Sequence, residues 1–135
     1  VGTWDTKTFD NDAAMDWAGE LAISNDLSIC ERSLDPEELR GYYLQAPDCV
    51  GILCAAEVLA ALSGQASPDL PEEVQRWVET HGRLDPKPLL PAAIAKLERV
   101  IAKHSELDEV WRENQDDYPE WRAGVDDLKA RLSIG

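Results

Sequence analysis

The stretch Asp48-Cys49-Val50-Gly51-Ile52-Leu53-Cys54-Ala55-Ala56-Glu57-Val58-Leu59-Ala60-Ala61-Leu62 decides the fold. It is apolar on nearly every face, a pattern an α-helix adopts only when other elements cover it from several sides. Its alanines allow those neighbours to come close. A central helix over about 48–63 is therefore expected, ended by Gly64 as the left-handed residue past its last turn.

The partners such a helix needs are written on both sides of it. Upstream, Asp10-Asn11-Asp12 supplies capping side chains and Ala14, Trp17, Ala18 and Leu21 recur at helical spacing. Asp12, Asp16 and Glu20 line a second face of the same helix, which fades near Ser24. Leu27, Ile29 and Leu34 predict a short extended piece or an irregular loop over 25–34. Asp35-Pro36-Glu37-Glu38 has the form of a helix start, kept short by Gly41 and Pro47.

Downstream, Pro71-Glu72-Glu73 opens a helix carrying Val74, Trp77 and Val78 and ending at His81-Gly82. Beyond the turn Asp85-Pro86-Lys87-Pro88 comes a helix with Ala93, Ile94, Leu97, Val100 and Ile101. Ser105-Glu106-Leu107-Asp108 is a capping pattern that introduces Leu107, Val110 and Trp111. The last helix begins at Asp117-Tyr118-Pro119 and buries Trp121, Val125, Leu128 and Leu132, with Lys129 and Arg131 suiting its C-terminal end. No alternating strand pair and no internal repeat occurs. The pattern predicts one all-α domain over 1–135, a bundle of about six or seven helices.

Bulk properties narrow the function classes. A chain of 135 residues, 44% hydrophobic and 30% charged, holds one core and is not a disordered tail. No apolar run approaches the ~20 residues of a membrane span, and Val1-Gly2-Thr3-Trp4-Asp5 lacks the pattern of a secretory signal. Cys30, Cys49 and Cys54 are odd in number and have no C-x-x-C spacing, so buried reduced thiols in the cytoplasm are expected. A net charge of −14 repels phosphate backbones and argues against nucleic acid, leaving a basic protein partner, a cation or mere solubility, the last being the commonest reason for such a charge.

Gly2-Thr3-Trp4, followed by Phe9-Asp10-Asn11-Asp12-Ala13 and Asp16-Trp17, resembles a bacterial family known as a domain of unknown function. Its members begin Met-Gly-Thr-Trp-Gly and continue Phe-Asp/Glu-Asn-Asp-x-Ala-x-Asp-Trp. Tyr43-Leu44, Ala55-Ala56-Glu57-Val58, Ser105-Glu106-Leu107 with Trp111, and Trp121 with Asp127-Leu128 and Arg131-Leu132 extend the resemblance. Asp5 departs from the usual glycine, and Val1 from the initiator methionine. The resemblance implies a small helical bacterial protein and carries no activity, no cofactor and no metal.

The candidate residues each have a structural reading beside a functional one. Asp10, Asn11, Asp12 and Asp16 could gather oxygens for a hard cation, but their spacing is not that of an EF-hand, and helix capping explains them more simply. Glu57 is the only charge inside the central helix, so donors must face it. They are expected from a tryptophan indole or from backbone near Gly2-Thr3-Trp4. Ser105 and Glu106 suit a helix cap, since no nucleophile elbow or paired histidine accompanies Ser105. His81 and His104 lie in no metal-ligand spacing. Trp4, Trp17, Trp77, Trp111 and Trp121 are core residues by default and partner anchors where exposed. Glycine loops for phosphate, basic patches and nucleophile–base pairs are missing. A non-enzymatic, cytoplasmic protein-binding module is therefore expected, immunity-like or inhibitor-like in one variant. The alternative is a small-molecule or metal-assisted enzyme built on Glu57, Asp10, Asp12 and Asp16.

Overall fold

The computed structural model describes residues 8–9, 11–34 and 43–134. Among them are seven α-helices: α1 (Asp12–Ala22), α2 (Ser28–Leu34), α3 (Ala46–Leu62), α4 (Glu72–Thr80), α5 (Leu90–Val100), α6 (Glu106–Arg112) and α7 (Tyr118–Ile134). A short 3-10 turn, Lys87–Leu89, leads into α5. The described residues contain no strand, only a parallel bridge between Leu44 and Ser105. The all-α bundle expected from the hydrophobic pattern is thus the fold.

Helix α3 is the centre of it. It packs against α1, α2, α4, α5, α6 and α7, and every residue from Ile52 to Ala61 is buried. Ala55, Ala56 and Ala60 keep no exposed surface, so the small side chains are what let the neighbours approach. Leu21, Leu97, Leu128 and Leu132 close over it fully buried. Each contributes about 1.5–3 kcal/mol of burial. The stripe of α1 (Ala14, Trp17, Ala18, Leu21) and that of α7 (Trp121, Val125, Leu128, Leu132) both face inward as their spacing requires.

Three details differ from the sequence expectation. Residues 28–34 form helix α2, where an extended piece or irregular loop was the expectation. Cys30 is the reason: it is fully buried, and with Leu27 and Leu34 it makes an i, i+3, i+7 stripe that the apparent alternation of Leu27 and Ile29 conceals. Helix α3 starts at Ala46, two residues ahead of Asp48, with Pro47 in the first turn where its missing N–H is no loss. Val110, grouped with Leu107 and Trp111, instead lies 52% exposed. The helix start placed at Asp35-Pro36-Glu37-Glu38 lies outside the described residues.

The helix ends follow ordinary capping chemistry. Asn11 accepts from the Ala14 N–H at 2.8 Å and begins α1. Gly64, at φ +88°, ends α3. His81 closes α4, its ring stacked on Trp77 at 4.2 Å with Nδ1 2.8 Å from the Trp77 carbonyl.

A clasp joins the start of α3 to the start of α6. The Leu44 N–H donates to the His104 carbonyl at 2.6 Å, and the Glu106 N–H donates to the Leu44 carbonyl at 2.8 Å. Ser105 Oγ accepts from the Asp108 N–H at 3.3 Å, capping α6, and lies 3.4 Å from Cys49 Sγ. Gln45 offers α3 no side-chain cap. Glu106 supplies one from the other helix, accepting from the Ala46 N–H at 2.7 Å. His104 holds φ +69° to make the turn.

Candidate functional site

Glu57 sits mid-way along α3 with 6% of its surface exposed. A carboxylate buried this far must be matched by donors. Arg131 of α7 matches it end-on: one terminal nitrogen donates to Oε1 at 3.1 Å and the other to Oε2 at 3.3 Å. Thr8 Oγ1 also donates to Oε2, at 3.3 Å. An arginine 74 positions away is therefore its charged partner; of the expected donors, Trp4 and the backbone near Gly2-Thr3-Trp4 lie outside the described residues. Two of the indoles are engaged elsewhere, Trp17 with Ser33 Oγ at 2.9 Å and Trp77 with the Ser24 carbonyl at 2.9 Å.

Arg131 is held from three sides. Its Nε donates to Asp127 Oδ2 at 2.9 Å, one turn back on α7, and a terminal nitrogen donates to the Gln65 carbonyl at 3.0 Å in the loop after α3. Burial alone would lower its pKa, but the hydrogen bonds and charges of Glu57 and Asp127 outweigh burial and raise it. The guanidinium stays charged and pins α3, α7 and the 63–70 loop together.

Beside this ion pair lies a cavity of about 340 Å3. Val50 and Leu53 of α3, Trp111 of α6, and Trp121, Val125 and Leu128 of α7 provide its apolar walls. The Trp111 and Trp121 rings are stacked, with centroids 6.1 Å apart and planes 13° from parallel. Glu120, Gly124, Asp127 and Arg131 follow one another at i+4, i+3 and i+4 along α7, so one stripe of that helix borders the opening while the next stripe fills the core. Among the described lining residues, Glu57, Asp69, Glu120 and Asp127 bring four carboxylates and Arg131 the cation.

The sequence candidates are distributed unevenly around this feature. Asn11, Glu57 and Trp111 all line the cavity. Trp17 is buried between α1 and Ser33, away from it. Asp12 and Asp16 are exposed on α1 and do not line it. Glu106 is the cap of α3. Trp4 and Asp10 lie outside the described residues. Among the described residues, no group of three or more His, Cys, Asp or Glu side chains is arranged to hold a metal ion.

A second acidic position is plainly structural. Asp108 is 3% exposed and accepts from Tyr118 Oη at 2.7 Å and Arg112 Nε at 2.7 Å, with the Arg112 guanidinium 4.9 Å over the Tyr118 ring. The thiols are inert for a different reason. Burial, and then the Glu31 charge, push Cys30 up to about 12, and burial likewise raises Cys49 and Cys54, so none offers a thiolate near neutral pH.

Sequence reasoning passed over Arg131, Asp127 and Gly124 as parts of a site. A signal for the first existed: Arg131 lies between Leu128 and Leu132, at the edge of the buried stripe rather than opposite it. Its position in the last turn of α7 suggested a dipole partner instead.

The chain matches a family described as a domain of unknown function (DUF4259) over residues 2–124. The chain belongs to this family. The matched span includes Glu57, Trp111, Trp121 and Gly124 and ends short of Asp127-Leu128 and Arg131-Leu132. No curated protein and no solved structure matches the chain.

Proposed function

We propose that this domain is a non-enzymatic, cytoplasmic protein-binding module for a basic partner. The observation that carries the reading is the cavity itself, with carboxylates outnumbering cations among its described lining residues and two stacked tryptophans in its wall. Recognition sites of proteins combine a largely apolar wall with complementary charge in this way. The overall charge of −14 extends the same sign beyond the cavity and steers a basic partner toward it. An inhibitor-like or immunity-like role, in which the acidic face covers a basic active site, is one form of this function. No described helix is long and apolar enough to cross a membrane.

Affinity capture with matched baits tests the reading. The wild-type domain should retain a basic protein at low salt and release part of it at moderate salt, as screened electrostatics require. A bait carrying Glu120→Lys and Asp127→Lys should lose that protein. Retention by both baits, or a partner unaffected by salt, would count against the proposal.

The small-molecule or metal-assisted alternative has one observation in its favour, the placement of Glu57 beside a cavity. Its aspartates Asp12 and Asp16 stand apart from that cavity. A rise in melting temperature with Ca2+, Mg2+ or Zn2+ is what it requires.

A further inference from the structure

We infer that the cavity receives a single cationic side chain of the partner, a lysine or arginine whose stem lies against Trp111 and Trp121. The inference rests on the protein-binding reading and specifies what enters the site.

Size sets the first limit. At about 340 Å3 the cavity is at the low end of ligand sites, which begin near 300 Å3, so it suits one side chain rather than a folded element.

Charge sets the second. Arg131 would ordinarily suggest an anionic ligand, but its guanidinium is already committed. Nε is given to Asp127, and the two terminal nitrogens to Glu57 and the Gln65 carbonyl. Four of its five N–H groups are spent in this way, and an anion reaching the fifth, on the second terminal nitrogen, would sit beside the carboxylates of Glu57 and Asp127. Two carboxylates grip one guanidinium, so the cluster keeps a surplus negative charge. Glu57 spends both oxygens on Arg131, and its side chain is 8% exposed. Asp127 is 67% exposed and spends only Oδ2 among the described residues, which leaves Oδ1 for an incoming cation.

The third limit is the wall. Trp111 and Trp121 are only 5% and 3% exposed, so what they turn to the cavity is a narrow strip of apolar wall, which accepts the methylene stem that carries a cation. A free inorganic ion would gain nothing from the apolar lining, whereas a lysine or arginine uses both parts.

Gly124 makes the inference testable without disturbing the core. A Cβ added there meets nothing within 4 Å, and Gly124 lines the cavity from α7. Gly124→Leu should therefore obstruct the opening while keeping or raising the melting temperature, since leucine favours the helix more than glycine does.

The experiment titrates the domain with N-acetyl-arginine methylamide, its neutral citrulline counterpart and N-acetyl-glutamate methylamide at constant ionic strength. The readout is the indole NMR signals of Trp111 and Trp121. The arginine compound should saturate, the citrulline compound should bind about tenfold more weakly, and the glutamate compound should not bind. Asp127→Asn should weaken the arginine compound several-fold and Gly124→Leu should abolish its binding. Equal binding of citrulline, preference for glutamate, or unaltered binding in Gly124→Leu would overturn the inference. Partner capture that survives Gly124→Leu but is lost on Glu120→Lys and Asp127→Lys would overturn the cavity inference and keep the protein-binding reading. Saturable arginine binding with no protein captured would overturn the partner as the source of the cation.

Discussion

Glu57 and Glu106 are both acids within helices that pack on the core, and the two regions they organise differ in kind. Glu106 stands in the first turn of α6 and uses its carboxylate as the missing cap of α3, accepting from a backbone N–H. Around it the Leu44–Ser105 clasp is made of short backbone bonds and a capping hydroxyl, and Ser105 has no exposed surface. Glu57 stands in the middle of α3, where every backbone group is already used by the helix. It must therefore find a side-chain donor across the bundle, and Arg131 is long enough to reach it. Backbone caps seal a junction because they are short. A long side-chain pair spans a junction and leaves space beside it, and the cavity lies in that space.

Breaking the two regions separately should give unequal losses. The largest effect is expected for Arg131→Met, which leaves Glu57 buried with Thr8 as its remaining described donor. Loss of one partner of a buried pair costs about 3–5 kcal/mol. Glu57→Leu should cost less, because Asp127 and the Gln65 carbonyl still hold the guanidinium. The double variant Glu57→Leu with Arg131→Met should recover most of the loss, as isosteric apolar replacements of buried pairs often do. Urea denaturation of the four proteins measures this directly, and a double variant no better than Arg131→Met would remove the ion pair as the organising feature.

The clasp should yield smaller numbers. Ser105→Ala and Glu106→Ala each remove one cap and should each cost about 1 kcal/mol. His104→Gly should move the other way, by roughly 0.5 kcal/mol, because glycine adopts the left-handed turn without the penalty a side chain incurs. Thermal melting of the three variants would show whether the clasp is as local as its geometry indicates.

High pH separates the regions most finely. The hydrogen bond to Glu109 holds the Tyr43 phenol neutral and raises its pKa from 10.0 to about 12. Burial does the same to Cys30, raising it from 9.0 to about 12. In both groups the folded value is the higher one, so their stabilisation is complete below the unfolded value and is lost as pH rises through about 12. Stability should fall from about pH 9 upward for Cys30 and from about pH 10 for Tyr43. Cys30→Ala should remove the first part of that decline, and Tyr43→Phe the second. Thiol alkylation of the folded protein at neutral pH should be negligible.

The fold was legible because its decisive signal is local. The all-round apolar run of α3 demands a shell, and the stripes Ala14–Leu21 and Trp121–Leu132 provide it without reference to anything distant. Helix α2 was missed because its stripe depends on Cys30, a residue whose burial is not implied by polarity alone. Of the site, Glu57 stood out as a lone charge in an apolar helix, and Trp111 as an inward aromatic. Arg131 did not, because an arginine in a last turn has an adequate local explanation and its real partner lies 74 positions away. Gly124 could not be recognised from sequence either. Its importance comes from what is absent around it, and absence of neighbours has no signature in one chain.

The separation of Glu57 from Arg131 also bears on how the domain is made. During synthesis α3 emerges 74 residues ahead of the arginine that will accept its charge. At about 5–20 residues per second this interval is roughly 4–15 s. For that time the most apolar helix of the protein carries a carboxylate without its cation, which opposes its early burial in a wrong core or in a neighbouring nascent chain. The carboxylate that braces the finished bundle would thus disfavour premature burial of α3 while the chain is still incomplete.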